Sequence, residues 1–173
     1  MRNLILLTTI ILGFSLKSYP QDKIFTHRGD TLTCKVTEMG EKFIKYQFVG
    51  EDLLNSISNN RVSKVVFGSG RIQEVSEKII ISSVEDWKKV QITNLESDVQ
   101  GLKRVREIMA KASSGWSFTN QGKMEAEAMD KLKQQAAASG CHIVLILTTT
   151  GQGGHSGFSG GAKASVTGVA YKY

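Results

Sequence analysis

MEAEAMDKLKQQAAASGCHIVLIL, residues 124–147, holds the change of period that decides the fold. Met124, Ala128, Leu132 and Ala136 recur every fourth residue, while Glu125, Lys131, Lys133 and Gln134 fall on the other side, which is the pattern of an amphipathic helix. Asn120 is placed to cap its start, and Gly140 to stop it, since glycine accepts the left-handed backbone that ends helices. Ile143 to Leu147 is then an unbroken apolar run, as expected of a central strand covered on both faces. A last strand is expected from Ala162 to Tyr173, with Val166 and Val169 apolar and Gly168 marking a bulge.

Working back towards the N-terminus, the period falls from four to two. In Thr31-Leu32-Thr33-Cys34-Lys35-Val36-Thr37, positions 32, 34 and 36 point one way and the polar residues the other, so one face is buried and one is wet. Lys42 to Phe48 repeats the pattern after the turn Met39-Gly40-Glu41. Arg61–Phe67 and Arg71–Val75 follow, joined at Gly68-Ser69-Gly70. Residues 22–80 are therefore expected to form an antiparallel β-meander of five or six short strands. Residues 81–89 lack this pattern and read as a connector, with Trp87 packing at the junction. Residues 90–173 form a second unit, in which 101–112 fit either strand or helix.

The first residues, MRNLILLTTIILGFSLKSYPQ, have the layout of an export signal: Arg2, an apolar run from Leu4 to Leu16, then a polar Lys17-Ser18-Tyr19-Pro20. The run is shorter than the roughly 20 apolar residues that span a bilayer as a helix. No cysteine follows it closely, so the mature chain is expected in the periplasm or at the cell surface, not lipidated. Removing residues 1–21 leaves 20 basic and 16 acidic residues, spread over both halves. Lys103-Arg104-x-Arg106 is the one basic run, interrupted by Glu107, and no stripe of cations interleaved with aromatics suggests a nucleic-acid partner. Cys34 and Cys141 lie in apolar strand patterns in different halves, the setting of two buried unpaired thiols.

Candidate chemistry gathers in the loop Gly151–Gly161, GQGGHSGFSGG. A dinucleotide or phosphate loop needs a helix after the glycines, and a strand follows here. Gly157-Phe158-Ser159-Gly160-Gly161 spells G-x-S-x-G, but that nucleophile turn also precedes a helix, and no histidine lies downstream. Metal donors are Cys34, Cys141, His142, His27 and His155. Only Cys141 and His142 are adjacent, and neighbours on a strand point to opposite faces, so paired zinc spacing is missing. Arg28-Gly29-Asp30 has the composition of a tight turn.

Ala126 to Tyr173, with Ala-Met-Asp-Lys-Leu-Lys-Gln-Gln-Ala-Ala-Ala-Ser-Gly-Cys-His-Ile-Val-Leu-Ile and then Val-Thr-Gly-Val-Ala-Tyr, resembles the small α+β domain of YbjQ-type and RcsF-type envelope proteins. The resemblance implies that Gly101 to Ile108 is a strand. The paired disulfides and lipidated cysteine of the RcsF type have no counterpart here, nor is there a ligand cluster for the heavy metals associated with the YbjQ type. Gly29-Asp30-Thr31-Leu32 and Ile44-Lys45-Tyr46 are similar to β-rich N-terminal modules of exported Bacteroidetes proteins.

The expected fold class is α+β, an N-terminal antiparallel β-meander followed by a small α+β domain with one main helix on a sheet. The expected function is that of an exported, non-enzymatic cell-envelope protein that binds an envelope protein or self-associates. It has no catalytic residue, metal or cofactor, and its candidate contacts are Phe158 and His155. The alternative is a metal- or small-ligand-binding module using the glycine-rich loop 151–161.

Overall fold

The structure, a computed structural model, describes residues 21–114, 121–152 and 161–173. The expected export signal, apart from Gln21, the expected cap at Asn120, and the loop positions His155 and Phe158 lie outside the described residues. The fold is α+β, with two sheets and one long helix.

The N-terminal sheet contains β1 (Asp22–Thr26), β2 (Thr31–Met39), β3 (Phe43–Gln47), β4 (Asn55–Ser58), β5 (Val62–Val66) and β6 (Ile72–Glu74). All its pairings are antiparallel, in the order β4-β3-β2-β1-β5-β6. The meander thus covers the first four strands, and β5 returns to the free side of β1. The turn at Arg28-Gly29-Asp30 is as expected, with Gly29 at φ +102° and Thr26 O accepting from Gly29 N–H.

Among the described residues no helix covers this sheet, and its core is built from its own strands: Ile24, Cys34, Ile44, Tyr46, Ile57, Val62 and Val65. It can do so because β2 turns a corner. Residues 31–34 pair with β1 and residues 35–39 with β3, with a register shift between Val36 and Glu38. Such irregularities bend a strand and leave ladder groups unpaired. Val36 N–H donates to Asp22 Oδ2 at 2.8 Å, and the other oxygen of that carboxylate accepts from Gly68 N–H at 2.8 Å. One side chain therefore ties the corner to the β5–β6 hairpin.

The C-terminal sheet has the order β7-β9-β10-β8, from β7 (Gln91–Thr93), β8 (Lys103–Ser113), β9 (Ile143–Gln152) and β10 (Lys163–Lys172), with β7 parallel to β9 and the rest antiparallel. The segment that fitted either period is strand β8. The helix α1 (Gln121–Ala138) buries Met124, Ala128, Leu132 and Ala136 against this sheet, together with Ala137. Facing positions are mostly alanine: 110, 112, 164 and 170. Small side chains let helix and sheet approach closely, with Leu132 and Val166 filling the space between. Gly140, at φ +65°, ends the helix as expected, with Gly140 N–H bonded to Ala137 O at 2.8 Å and Cys141 N–H to Ala136 O at 3.0 Å.

The expectation that Ile143 to Leu147 is covered on both faces holds only at its start. Ile143, Val144 and Leu145 are buried, whereas Leu147 is 50% exposed. The reason is the reach of the second cover: the face away from α1 is shielded by the short 3-10 segment Glu96–Val99, whose Val99 meets Ile143 and Leu145 and goes no further. Gly168 sits at a register shift between β9 and β10, as its bulge reading required. Both cysteines are buried and unpaired, one in each core. Among the described residues, no helix is long and apolar enough to cross a membrane.

Candidate functional site

The two sheets meet where the end of β1, the segment after β6 and the ends of β9 and β10 converge. His27 follows β1 directly, and its backbone N–H donates to Arg61 O at 2.9 Å. His142 is fixed by the helix stop before it. Its N–H donates to Tyr171 O at 3.2 Å and its carbonyl accepts from Gln91 N–H at 2.9 Å, so both backbone groups are used and the ring has one place to go. Tyr173, following β10, lies between the two imidazoles. Its ring stacks on His142 with centroids 3.8 Å apart and planes 14° from parallel, and meets His27 at 4.9 Å in a tilted contact.

Hydrogen bonds then separate the two histidines. Ser76 Oγ lies 2.8 Å from His27 Nε2, 2.9 Å from Asn59 O and 2.8 Å from Val62 O. A hydroxyl has one proton, and two carbonyls compete for it, so the imidazole donates to Oγ and His27 carries its proton on Nε2. This is the reverse of a base that withdraws a nucleophile's proton. The pair holds the segment after β6 against β1. His142 Nε2, by contrast, is buried without a hydrogen-bond partner among the described residues.

His142 belongs to the lining of a cleft of about 510 Å³ between the sheets, although its Nε2 is itself closed off from solvent. The walls mix apolar Ile79, Ile80 and Ile143 with polar Asn60, Gln91 and Lys78. Tyr173 Oη accepts from Ile79 N–H at 3.2 Å, which leaves its own O–H to donate. Lys78 Nζ stands 5.9 Å from the Tyr173 ring centroid, and Lys89 Nζ is held by Asp86 at 2.6 Å. Burial, with the charge of His27 second, pushes His142 down to about 4; burial and then the charge of Lys78 lower His27. Both rings are neutral at pH 7. Burial raises the Tyr173 hydroxyl.

Away from the cleft, contacts also join the sheets. Asn60 Nδ2 donates to Asp98 O at 3.0 Å, Lys42 pairs with Asp98 at 3.8 Å, and the Arg61 guanidinium lies against Gly101, whose φ of +74° and missing Cβ make room for it.

Of the residues singled out in the sequence, Cys141 and His142 point apart as strand geometry requires, the thiol into the helix–sheet core and the imidazole into the cleft. No three His, Cys, Asp or Glu side chains among the described residues are grouped to hold a metal. The grouping of His27, Ser76, His142 and Tyr173 was not read from the sequence. These residues are 49, 66 and 31 positions apart in turn; His27 and His142 drew notice only as possible metal donors, and Ser76 and Tyr173 carried no signal of a site. The strand edges are short, except for β8. There Gln135 Nε2 donates to Met109 O at 3.0 Å and Lys131 Nζ to Lys111 O at 3.4 Å, so helix side chains already occupy part of that edge.

Compared with protein-family profiles, curated proteins and solved structures, the chain matches none.

Proposed function

We propose that the chain is an exported, non-enzymatic binding module of the cell envelope, and that it holds a small polar molecule in the cleft between its sheets. The observation that carries this reading is the cleft itself, where the Tyr173 hydroxyl, free to donate, and the Lys78 ammonium converge beside apolar isoleucines. Cavities of a few hundred Å³, part apolar with a few converging polar groups, suit small molecules. The ligand would set an acceptor against the Tyr173 hydroxyl and an anionic or polar atom near Lys78. The reversed Ser76–His27 hydrogen bond supports a binding role over acyl transfer. Strand addition by an envelope protein or a second copy is the less favoured mode, because the long edge at β8 is partly occupied.

The test is an NMR titration of the mature chain with free amino acids, short peptides and monosaccharides. One probe class is expected to move the resonances of His142, Tyr173 and Lys78 together, and to lose that effect in Tyr173→Phe. If no class moves them, the cleft reading fails.

A further inference from the structure

We propose a second site, independent of the cleft, where the far end of the C-terminal sheet binds a multiply charged phosphate group. Register places it. Lys163 is opposite Ser113 on β8 and Gln152 on β9; one row in, Ser165 is opposite Lys111 and Thr150. Directly opposed residues share a face, as do residues two apart on a strand, so these six side chains form one two-row patch. It is the face away from α1, since Ala110, Ala112, Ala164 and Val166 alternate with it and are buried under the helix.

Lys111 and Lys163 are diagonal neighbours in this patch, a spacing at which long side chains interact and like charges repel. A third ammonium joins them from the helix. Lys131 Nζ, paired with Glu127 at 2.7 Å, reaches the carbonyl of Lys111 at the strand edge. The three lysines line a recess of about 560 Å³ that also presents the hydroxyls of Ser113 and Ser165 and contains no carboxylate in its walls. Glu127 neutralises Lys131, Glu125 lies on the helix side of the sheet against Gly151, bonded to Gln121, and Glu107 pairs with Arg104 at 3.8 Å, so Lys111 and Lys163 have no ion-pair partner among the described residues.

Folding alone does not favour two unneutralised ammonium groups in diagonal register. A bound oxyanion accounts for them, with lysines supplying charge and serine hydroxyls supplying donors, as phosphate sites require. The sequence hid this patch because its three cations are 20 and 32 positions apart and no basic run marks them.

Tripolyphosphate binding measured by calorimetry at low and moderate salt, with citrate and sodium chloride at matched ionic strength, tests the proposal. Saturable binding is expected, stronger than citrate and weakening with salt, and reduced at least tenfold in Lys111→Gln/Lys163→Gln. Tyr173→Phe should bind tripolyphosphate as the parent does, which separates this site from the cleft. Equal binding of citrate, an unchanged affinity in the correctly folded double variant, or no saturable binding would each overturn it. Phosphatidylglycerol vesicles form the last arm: vesicle binding without tripolyphosphate binding would assign the patch to a lipid surface and overturn the phosphate-group proposal.

Discussion

The imidazole of His142 and the ring of Tyr173 lie face to face, 3.8 Å between centroids and 14° from parallel, and this contact fixes the wall of the cleft between the two sheets. His142 is held at the start of β9 by the helix stop, and Tyr173 follows the end of β10. The stack therefore links neighbouring strands of the C-terminal sheet. Tyr173 continues the link to the N-terminal sheet through His27 and through the amide of Ile79.

Replacing His142 by Phe should keep the stack and remove the unpartnered nitrogen. Stability is expected to rise by about 1 kcal/mol, since trading an unsatisfied buried polar group for an apolar one of similar shape is neutral to favourable. Urea unfolding of the two proteins without ligand measures it. A loss above about 1 kcal/mol would mean that Nε2 is already satisfied by water.

Acid should weaken the fold over a defined window. The folded-state pKa of His142 is about 4 against an ordinary 6.5, and His27 is also lowered. Between these values the unfolded chain binds more protons than the folded one, so stability is full above pH 6.5 and falls as the pH drops towards 4. His142 alone accounts for a loss of about 3 kcal/mol. Unfolding free energies at pH 7.5, 6, 5 and 4.5 should follow this course, and His142→Phe should flatten the slope by close to one proton. An unchanged slope in that variant would contradict the assignment.

Gly168 should not tolerate a side chain. A Cβ there would stand 2.8 Å from Leu145 O and 2.8 Å from Val144 Cγ1, at the register shift between the two central strands. Because one neighbour is backbone of β9, relief needs strand movement, and Gly168→Ala is expected to cost about 1–3 kcal/mol. A Tm equal to that of the parent would show that the bulge yields.

The thiols of Cys34 and Cys141 should resist alkylation in the folded protein. Both are buried, and burial, helped by Asp22, pushes Cys34 up to about 11; burial also raises Cys141. Thiolate is the reacting form. Iodoacetamide at pH 8 should label neither until urea unfolds the chain, and rapid native labelling would show that a core opens easily.

The parts of the fold legible in the sequence are those with a strong local period or a steric requirement. The Met124-Ala128-Leu132-Ala136 stripe, the stop at Gly140 and the bulge at Gly168 follow from spacing and from glycine geometry. The return of β5 to β1 was not legible, because the order of strands in a sheet depends on long-range pairing, here supported by the Asp22 carboxylate that serves both β2 and the β5–β6 hairpin. Leu147 looked like core because local hydrophobicity does not report how far a covering segment reaches. The cleft was hidden for the same reason as the lysine patch. His27 and His142 stood out only as scattered metal donors, Ser76 and Tyr173 not at all, and only the packing of one sheet on the other brings the four together.

The most direct measurement is a crystal structure, at a resolution that separates waters, of the protein purified from its native source near pH 7. Connected density larger than a water molecule is expected in the cleft, with one atom about 2.5–3.0 Å from Tyr173 Oη and another near Lys78 Nζ. Separate waters in an otherwise empty cleft, or a cleft closed by the chain's own side chains, would contradict the binding reading.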